Sequence, residues 1–486
     1  MVNEKVEYVK VEEETIRTHY DTTASGCVDW LKKRSYYYHC KSRLLKRIMP
    51  FPGRVLEIGC GLGQNLAALE PEYGLGIDIS QAMIGEAKAR FPSNEYPNLE
   101  FEQMSALDCN RIDGKFDHII LVNSMGEIPD IGHLFRQLRG LCTRSTRIIL
   151  LNFNYLLSPI IRLAEHLRVA PSHPPQNWIT RVDLDNIALL AGYENVRNGY
   201  NVVVPFRIPL LSNLINRLVP TIPLLQQISL LYYSVYRVRL DLGSIEDFSV
   251  SVCVPCKNEE GNIDDVVKRI PDMGKSTEII FVDDKSTDKT AEKVREHIEA
   301  NPNRTIKLVE GPGEGKGGAC RSGFAVAEND ILMILDADMT TMPEELPDFF
   351  EAIASGKGEF INGSRLVYPM EKAAMRYLNI IGNRAFALLF SYLLSQRIKD
   401  TLCGTKVIWR SDYPKILESR EHFGCSDRWG DYDWIFGAAR YNLKIVELAV
   451  HYRERVAGET KMTKRFSNGW TMLRMCRIAY WRMKVL

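Results

Sequence analysis

The 486-residue chain is predicted to be an α/β protein of two domains. Three observations carry that prediction. Residues 54–154 alternate apolar strand runs with helical runs, the pattern of a doubly wound sheet. A second alternation opens at Ser249 and continues to about residue 455. A Pro- and Leu-rich stretch lies between them, and the chain is longer than one hydrophobic core ordinarily serves.

The elements follow in order. Residues 1–53 read as a helical lead-in, with Tyr36, Tyr37 and Tyr38 ahead of a basic helix. Strand runs are RVLEIG from residue 54, YGLGID from 73, LEFEQM from 99, FDHIILVN from 116 and TRIILLNFN from 146. The helical runs QNLAALE and SQAMIGEAKARF lie between them, with Ser80 placed as an N-cap. Residues 181–204 read as the last helix and a strand pair of the first domain, so that domain is set at 1–204. Residues 205–247 are expected to be a hydrophobic connector, 248–462 the second domain and 463–486 a basic amphipathic tail.

Composition narrows the function classes. The hydrophobic share of 45% and charged share of 25% are those of an ordinary globular protein. A net charge of +1 gives no reason to expect a nucleic-acid partner. The first twenty residues are charged throughout and do not read as a signal peptide, and eleven scattered cysteines form no disulfide framework. Cys253 and Cys256 lie along a predicted buried strand, which argues against a redox or zinc role. A cytoplasmic protein is expected. No run reaches the ~18 apolar residues of a membrane-spanning helix. Segments 208–238, 378–394 and the tail, with Trp470, Leu473, Tyr480 and Trp481 among arginines, suit either a membrane interface or domain packing.

Two constellations carry chemistry. In the first, Gly59, Gly61 and Gly63 form a Gly-x-Gly-x-Gly turn between a strand and a helix, preceded by Glu57. Glycines there let backbone amides approach a ligand closely. Asp78 ends the next strand, where it can accept hydrogen bonds from ribose hydroxyls. The segment resembles the class I S-adenosylmethionine-dependent methyltransferases over roughly residues 40–200. A dinucleotide-dependent dehydrogenase fits less well, because the third glycine comes one residue early. The resemblance implies a Rossmann-like seven-stranded sheet and S-adenosylmethionine held by Glu57, Gly59, Gly61, Gly63 and Asp78. It also implies Met104 and Ser105 near the adenine, in place of the usual acid, and Asn123 and Ser124 lining the methyl-transfer pocket. No general base emerges; His118 lies within a strand, and His133 is the better placed of the two.

In the second constellation, Asp336 and Asp338 alternate in LDAD, so at a strand end they share one face. Two carboxylates plus a diphosphate suit a hard cation, Mg²⁺ or Mn²⁺, which neutralises a departing diphosphate. Asp-x-Asp alone equally suits a solvated acidic turn. Four preceding apolar residues, a helix start at Pro343 and VDDKSTDKT upstream favour the site. Residues from about 249 to 462 resemble the inverting family-2 glycosyltransferases of GT-A fold, with a pattern like the dolichol-phosphate mannose synthases. The resemblance implies nucleotide contacts from Pro255, Lys257 and Glu259, and Asp284 as acceptor for the base or ribose. Lys316 would lie beside the donor in GKGGACRSGF, and Asp336 and Asp338 would hold the metal, with Thr340 where relatives have Gln or Ser. Arg365, Arg384, Arg455 and Lys461 would hold phosphates. Asp338 and Arg455 enter the catalytic set with Asp433 of WGDYDW, the base that a hydroxyl acceptor needs. A phosphate monoester, already anionic, needs none. His422 and His451 have no spacing argument.

The expectation is a bifunctional enzyme: methyl transfer from S-adenosylmethionine, and inverting transfer of a sugar from a nucleotide-sugar to a lipid-phosphate or glycan acceptor. Relatives often carry C-terminal transmembrane helices and this sequence does not, so membrane contact is expected to be peripheral, on the inner face. The alternatives are a hydroxyl acceptor, a non-catalytic cofactor-binding or docking first domain, and a membrane-surface scaffold.

Overall fold

The computed structural model describes residues 2–174, 176–369, 377–424, 429–453 and 465–485. The chain forms two compact units, Met1–Leu240 with Lys484–Leu486, and Asp241–Met483.

The first unit is a seven-stranded sheet: β1 (Arg54–Ile58), β2 (Tyr73–Asp78), β3 (Leu99–Gln103), β4 (His118–Val122), β5 (Arg147–Phe153), β6 (Tyr193–Asn201) and β7 (Leu231–Val238). The strand order is β3-β2-β1-β4-β5-β7-β6. β1 to β5 run parallel, and β7 is antiparallel to both β5 and β6. Parallel strands have both faces covered, so they need continuous apolar runs; Ile119, Ile120 and Leu121 are all fully buried. Ser80 caps the helix Gln81–Arg90, its side chain accepting from the Met83 amide at 3.1 Å. Strand order reverses between β1 and β4, and ligands of doubly wound sheets bind in the crevice at that point.

The connector expected at 205–247 is not only a connector. Its residues Leu231–Val238 insert as β7 between β5 and β6, every one buried. Leu231, Tyr233 and Val235 face one apolar core while Tyr236 and Val238 face the other, as alternate residues of a strand do. Of the helix and strand pair expected within 181–204, the helix forms at Arg181–Leu190, but only one strand follows, β6, whose partner arrives later in the chain. Nothing local to 193–201 marks a partner so distant in sequence.

The second unit also has seven strands: β8 (Val250–Cys256), β9 (Thr277–Asp283), β10 (Thr305–Glu310), β11 (Ile331–Ile334), β12 (Phe360–Ser364), β13 (Lys406–Trp409) and β14 (Ile445–Ala449), in the order β10-β9-β8-β11-β13-β12-β14. The first four in that order are parallel, and β13 is antiparallel to both its neighbours. Cys253 and Cys256 fall in different cores on opposite faces of β8, so they cannot act as one site. The helix Tyr377–Leu394 buries Phe390, Leu393 and Leu394. In the helix Arg465–Tyr480, Met472, Met475, Cys476 and Ala479 join the same core, while Trp470 and Leu473 point outward. Among the described residues no helix is long and apolar enough to cross a membrane.

Candidate active sites

At the end of β1 the chain turns through Gly59, Gly61 and Gly63, whose φ angles are 70°, 52° and 73°. A side chain at Gly59 would collide with the Ser124 Cβ at 2.6 Å, so only glycine lets this loop close on the end of β4. At Gly61 a Cβ would meet nothing within 4 Å, because the loop borders a cavity of about 220 Å³. Asp78, at the end of β2, accepts from the Gly61 amide at 2.8 Å and the Ser80 amide at 3.0 Å. Burial raises its pKa even against those two amides. Glu57 is fully buried behind the loop, accepting from Asn65 Nδ2 at 2.8 Å and the Leu66 amide at 3.1 Å. It therefore fixes the start of the following helix, and it is absent from the cavity wall. Burial pushes its carboxyl up to about 7, against the Asn65 bond and the charge of Lys41.

Ser105 and Asn123 both line the cavity. Ser105 Oγ donates to Glu13 of the first helix, Val2–Lys33. Asn123, at φ 60°, donates from Nδ2 to the Tyr37 hydroxyl at 2.9 Å. The amide oxygens of Gln64, Asn65 and Asn123 are buried beside this cavity with no hydrogen-bond partner. Unsatisfied buried acceptors are costly unless a ligand supplies donors. His118 bonds the Phe51 carbonyl at 2.6 Å, and His133 pairs with Gln137; neither reaches the cavity.

Two wall residues went unread in the sequence. Glu127 accepts from the Tyr20 hydroxyl at 2.5 Å and Gln176 Nε2 at 3.1 Å, and burial pushes its pKa up to about 7. His173 lies on the wall with its Nδ1 2.7 Å from Glu165 Oε1. A carboxylate there keeps the proton on Nδ1 and leaves Nε2 as the basic nitrogen. Glu127 follows β4 closely, whereas His173 arrives with Pro171 and Ser172 from a distant segment, and no spacing rule announces that.

In the second unit β11 ends at Ile334, so Asp336 and Asp338 stand in the turn beyond it and not on the strand. The alternation expected to align them does not apply. Asp336 pairs with Lys316 Nζ at 2.5 Å. Asp338 Oδ1 accepts from the Thr340 hydroxyl at 2.9 Å and amide at 3.2 Å. A Cβ at Gly404 would lie 1.8 Å from Asp336 Oδ2, so this glycine is the floor on which the carboxylate rests. Lys406 is buried and donates to Asp431 at 2.6 Å. Burial works against the Asp336 carboxylate, but Lys316, Lys406 and Arg365 outweigh it and hold its pKa below the usual value. Burial likewise opposes charge on Lys316, and Asp336 and Asp431 outweigh it. The four groups form one alternating charge network. Lys316 and Asp431 each begin a ten-residue helix, and a Cβ at Gly430 would lie 3.0 Å from Gly317 Cα, so the two helix N-termini abut.

Several of the expected site residues have partners within the protein. Asp433, expected as the base, is buried and receives Arg420 Nε at 3.2 Å, while Asp431 joins the charge network. Two residues along a helix turn about 200°, so the pair cannot share a direction. Asp284, expected to accept from a base or ribose, is buried, and its two oxygens accept from the Gly313 amide at 2.7 Å and the Gly315 amide at 3.0 Å, shaping the glycine-rich loop. Arg365, expected to hold a phosphate, points Nε and Nη2 at the buried Asp400, at 2.7 and 2.8 Å. Glu259 is buried and accepts from Asn262 at 2.8 Å, while Pro255 is half-buried in β8 and Lys257 exposed just after it. Arg384 is exposed on the helix Tyr377–Leu394. His451 is bonded to Glu345 at 2.5 Å. Arg455 and Lys461 lie outside the described residues. Among the described residues no three His, Cys, Asp or Glu side chains form a metal cage.

Residues 251–417 match the model of glycosyl transferase family 2. A dolichyl-phosphate beta-glucosyltransferase of Dictyostelium discoideum is 30% identical over 226 residues, covering 43% of this chain and 68% of that protein. The chain belongs to the family 2 glycosyl transferases. An undecaprenyl-phosphate 4-deoxy-4-formamido-L-arabinose transferase of Pseudomonas aeruginosa is similar to this family 2 glycosyl transferase at 32% identity over 216 residues, 44% of this chain and 60% of that one. The chain thus spans only part of the length of each curated relative. Residues 55–144 match the model of a methyltransferase domain. A solved S-adenosylmethionine-dependent methyltransferase of Thermotoga maritima, described as a possible histamine N-methyltransferase, aligns with 46% of this chain and 98% of its own at 13% identity and a TM-score of 0.35. This family 2 glycosyl transferase carries a methyltransferase domain on the same chain.

Proposed function

We propose that the second domain transfers a sugar from a nucleotide-sugar to a polyprenyl phosphate, with inversion, and that the first transfers a methyl group from S-adenosylmethionine. The observation that carries the first reading is the Asp336–Lys316–Asp431–Lys406 network beside two abutting helix N-termini. Helix N-termini and lysines, here the half-buried Lys316 and the buried Lys406, favour a diphosphate, and an acidic turn favours a hard cation. Asp336 and Asp338 would hold Mg²⁺ or Mn²⁺, which neutralises charge on the leaving diphosphate. Lys316 would stabilise that charge as the bond from the sugar C1 to the diphosphate oxygen breaks and the acceptor oxygen attacks the opposite face. Glycine at 404 admits the carboxylate, so Gly404→Ala is expected to displace Asp336 and lower turnover at least ~10²-fold with the fold retained.

Nucleotide diphosphate release across a panel of nucleotide-sugars with Mn²⁺, with and without a short-chain polyprenyl phosphate, tests this reading. Release that depends on the lipid supports it. Release stimulated only by hydroxyl acceptors would overturn the phosphate acceptor and make Asp431 the base. The relatives named above act on dolichyl and undecaprenyl phosphates, which supports the lipid acceptor.

For methyl transfer, the supporting observation is a cavity bordered by the open face of Gly61, by Asp78 and by three unpartnered amide oxygens. Those acceptors suit the ammonium and hydroxyl donors of S-adenosylmethionine, which when bound supplies an electrophilic methyl group. His173 Nε2, oriented by Glu165, would take the proton that an attacking hydroxyl releases. Asp78→Ala removes the partner of the Gly61 and Ser80 amides and is expected to weaken cofactor binding by ~10-fold or more in calorimetry. Unchanged affinity would remove Asp78 from the site, and no binding by the parent chain would leave a docking domain.

A further inference from the structure

The helix Leu211–Leu218 is built inside out. Its buried residues are Ser212 and Asn216. Ser212 Oγ donates to the Phe206 carbonyl and accepts from the Ile208 amide, while Asn216 satisfies Val203 and Val204. Its apolar residues Leu211, Leu214 and Leu218 face solvent. Just before it, Leu210 is 90% exposed at φ 63° and ψ −43°, and the Leu211 amide donates to the Pro209 carbonyl at 2.7 Å. That is a γ-turn of the rare, strained hand, and such strain persists where the surroundings or a function demand it. Beyond the helix, Leu224 is 89% exposed, with Leu225 and Ile228 beside it.

A stretch far away in sequence adds to the same surface. Asn154 Nδ2 donates to the carbonyls of Gln227 and Ser229 at 2.7 and 3.0 Å, tying the turn Tyr155–Leu157 to Leu225–Ile228. From that turn the helix Ser158–His166 presents Ile160 and Leu163 to solvent. Exposed leucines and isoleucines gathered on linked elements mark an interaction surface. Its charge leans one way: residues 205–230 contain Arg207 and Arg217 and no acid, and the other stretch carries Arg162 between Ile160 and Leu163 and Arg168 just after its helix, with its Glu165 engaged by His173.

We propose that this face docks the methyltransferase domain on an anionic lipid bilayer, with leucines entering the acyl boundary and arginines meeting lipid phosphates. A second copy of the chain is the poorer occupant, because an arginine-bearing face, its Glu165 already engaged by His173, would meet its own charge across a two-fold axis. The inference rests on neither proposed activity. Since the helix Ser158–His166 carries Glu165, the docked face lies beside the cavity wall that holds His173.

The test is sedimentation of the full chain with phosphatidylcholine vesicles, with and without phosphatidylglycerol. Binding is expected to require phosphatidylglycerol and to weaken with salt. The triple variant Leu210→Gln, Leu214→Gln, Leu224→Gln should lower partitioning at least ~10-fold. Replacing Arg207 and Arg217 by glutamine should lower it about fivefold per arginine, on anionic vesicles only. Leu224→Trp should add emission quenched by acyl-brominated lipid, beyond the parent chain's. The proposal is overturned if the triple variant partitions like the parent while Trp470→Ser abolishes binding. It is equally overturned if Leu224→Trp gains no quenching, or if the triple variant only abolishes self-association seen by light scattering.

Discussion

Asp336→Asn is expected to lower sugar transfer by about 10²–10³-fold or more while leaving methyl transfer unchanged. Asparagine keeps the volume above Gly404 but removes the charge that pairs with Lys316 at 2.5 Å. Lys316 then keeps Asp431 as its main support against burial, so the network loses its balance as well as the oxygen proposed to bind the metal. Asp338→Asn should share the loss, whereas Thr340→Val removes only the hydroxyl's hydrogen bond to Asp338 and should cost far less. Both activities measured on one preparation give the result an internal control. Sugar transfer within a few-fold of the parent would exclude Asp336 from the site.

Asp400→Asn is expected to destabilise the second domain by about 3–5 kcal/mol, because it leaves a buried guanidinium unpaired. Asp400 has no solvent exposure and accepts from Arg365 Nε, Nη2 and amide, from Asn383 and from the Leu402 amide. An asparagine would turn a donor toward one of those five donors. Burial opposes ionisation of Asp400, but Arg365 and Asn383 outweigh it and hold the carboxyl well below its ordinary range. The stability that this group contributes is therefore fully present above the unfolded carboxylate value, about pH 3.9, and is lost as pH falls through the depressed folded value. Urea unfolding across pH should show the parent losing stability on acidification and the variant losing less. If the Asp400→Leu, Arg365→Met double variant proves no more stable than Asp400→Asn, the unpaired charge is not the cause.

Legibility followed the range of the interactions. The Gly59–Gly63 turn and Asp78 were readable because strand, glycines and acid are close in sequence and obey strand-turn-helix rules. Glu127, His173 and Tyr20 were not, since three separated segments bring them to one cavity wall. On the other side, WGDYDW announced an acidic helix start but not which acid mattered. The direction of each carboxylate depends on Lys406 and Arg420, neither of them local. The pairing of Arg365 with Asp400 was not legible either, because the two lie 35 residues apart.

By itself the sequence determined the fold class, the two-domain arrangement and the glycine-bearing loops, all of which arise from periodicity and backbone conformation within short windows. Tertiary structure alone decided that Leu231–Val238 completes the first sheet, that Asp284 and Arg365 hold the protein's own groups, and that Asp431 joins Asp336. It also decided that Ser212 and Asn216 are buried while the leucines beside them face water. Pairing, charge partnership and burial join residues distant along the chain, and a local pattern of residue types carries no information about which distant group will satisfy them.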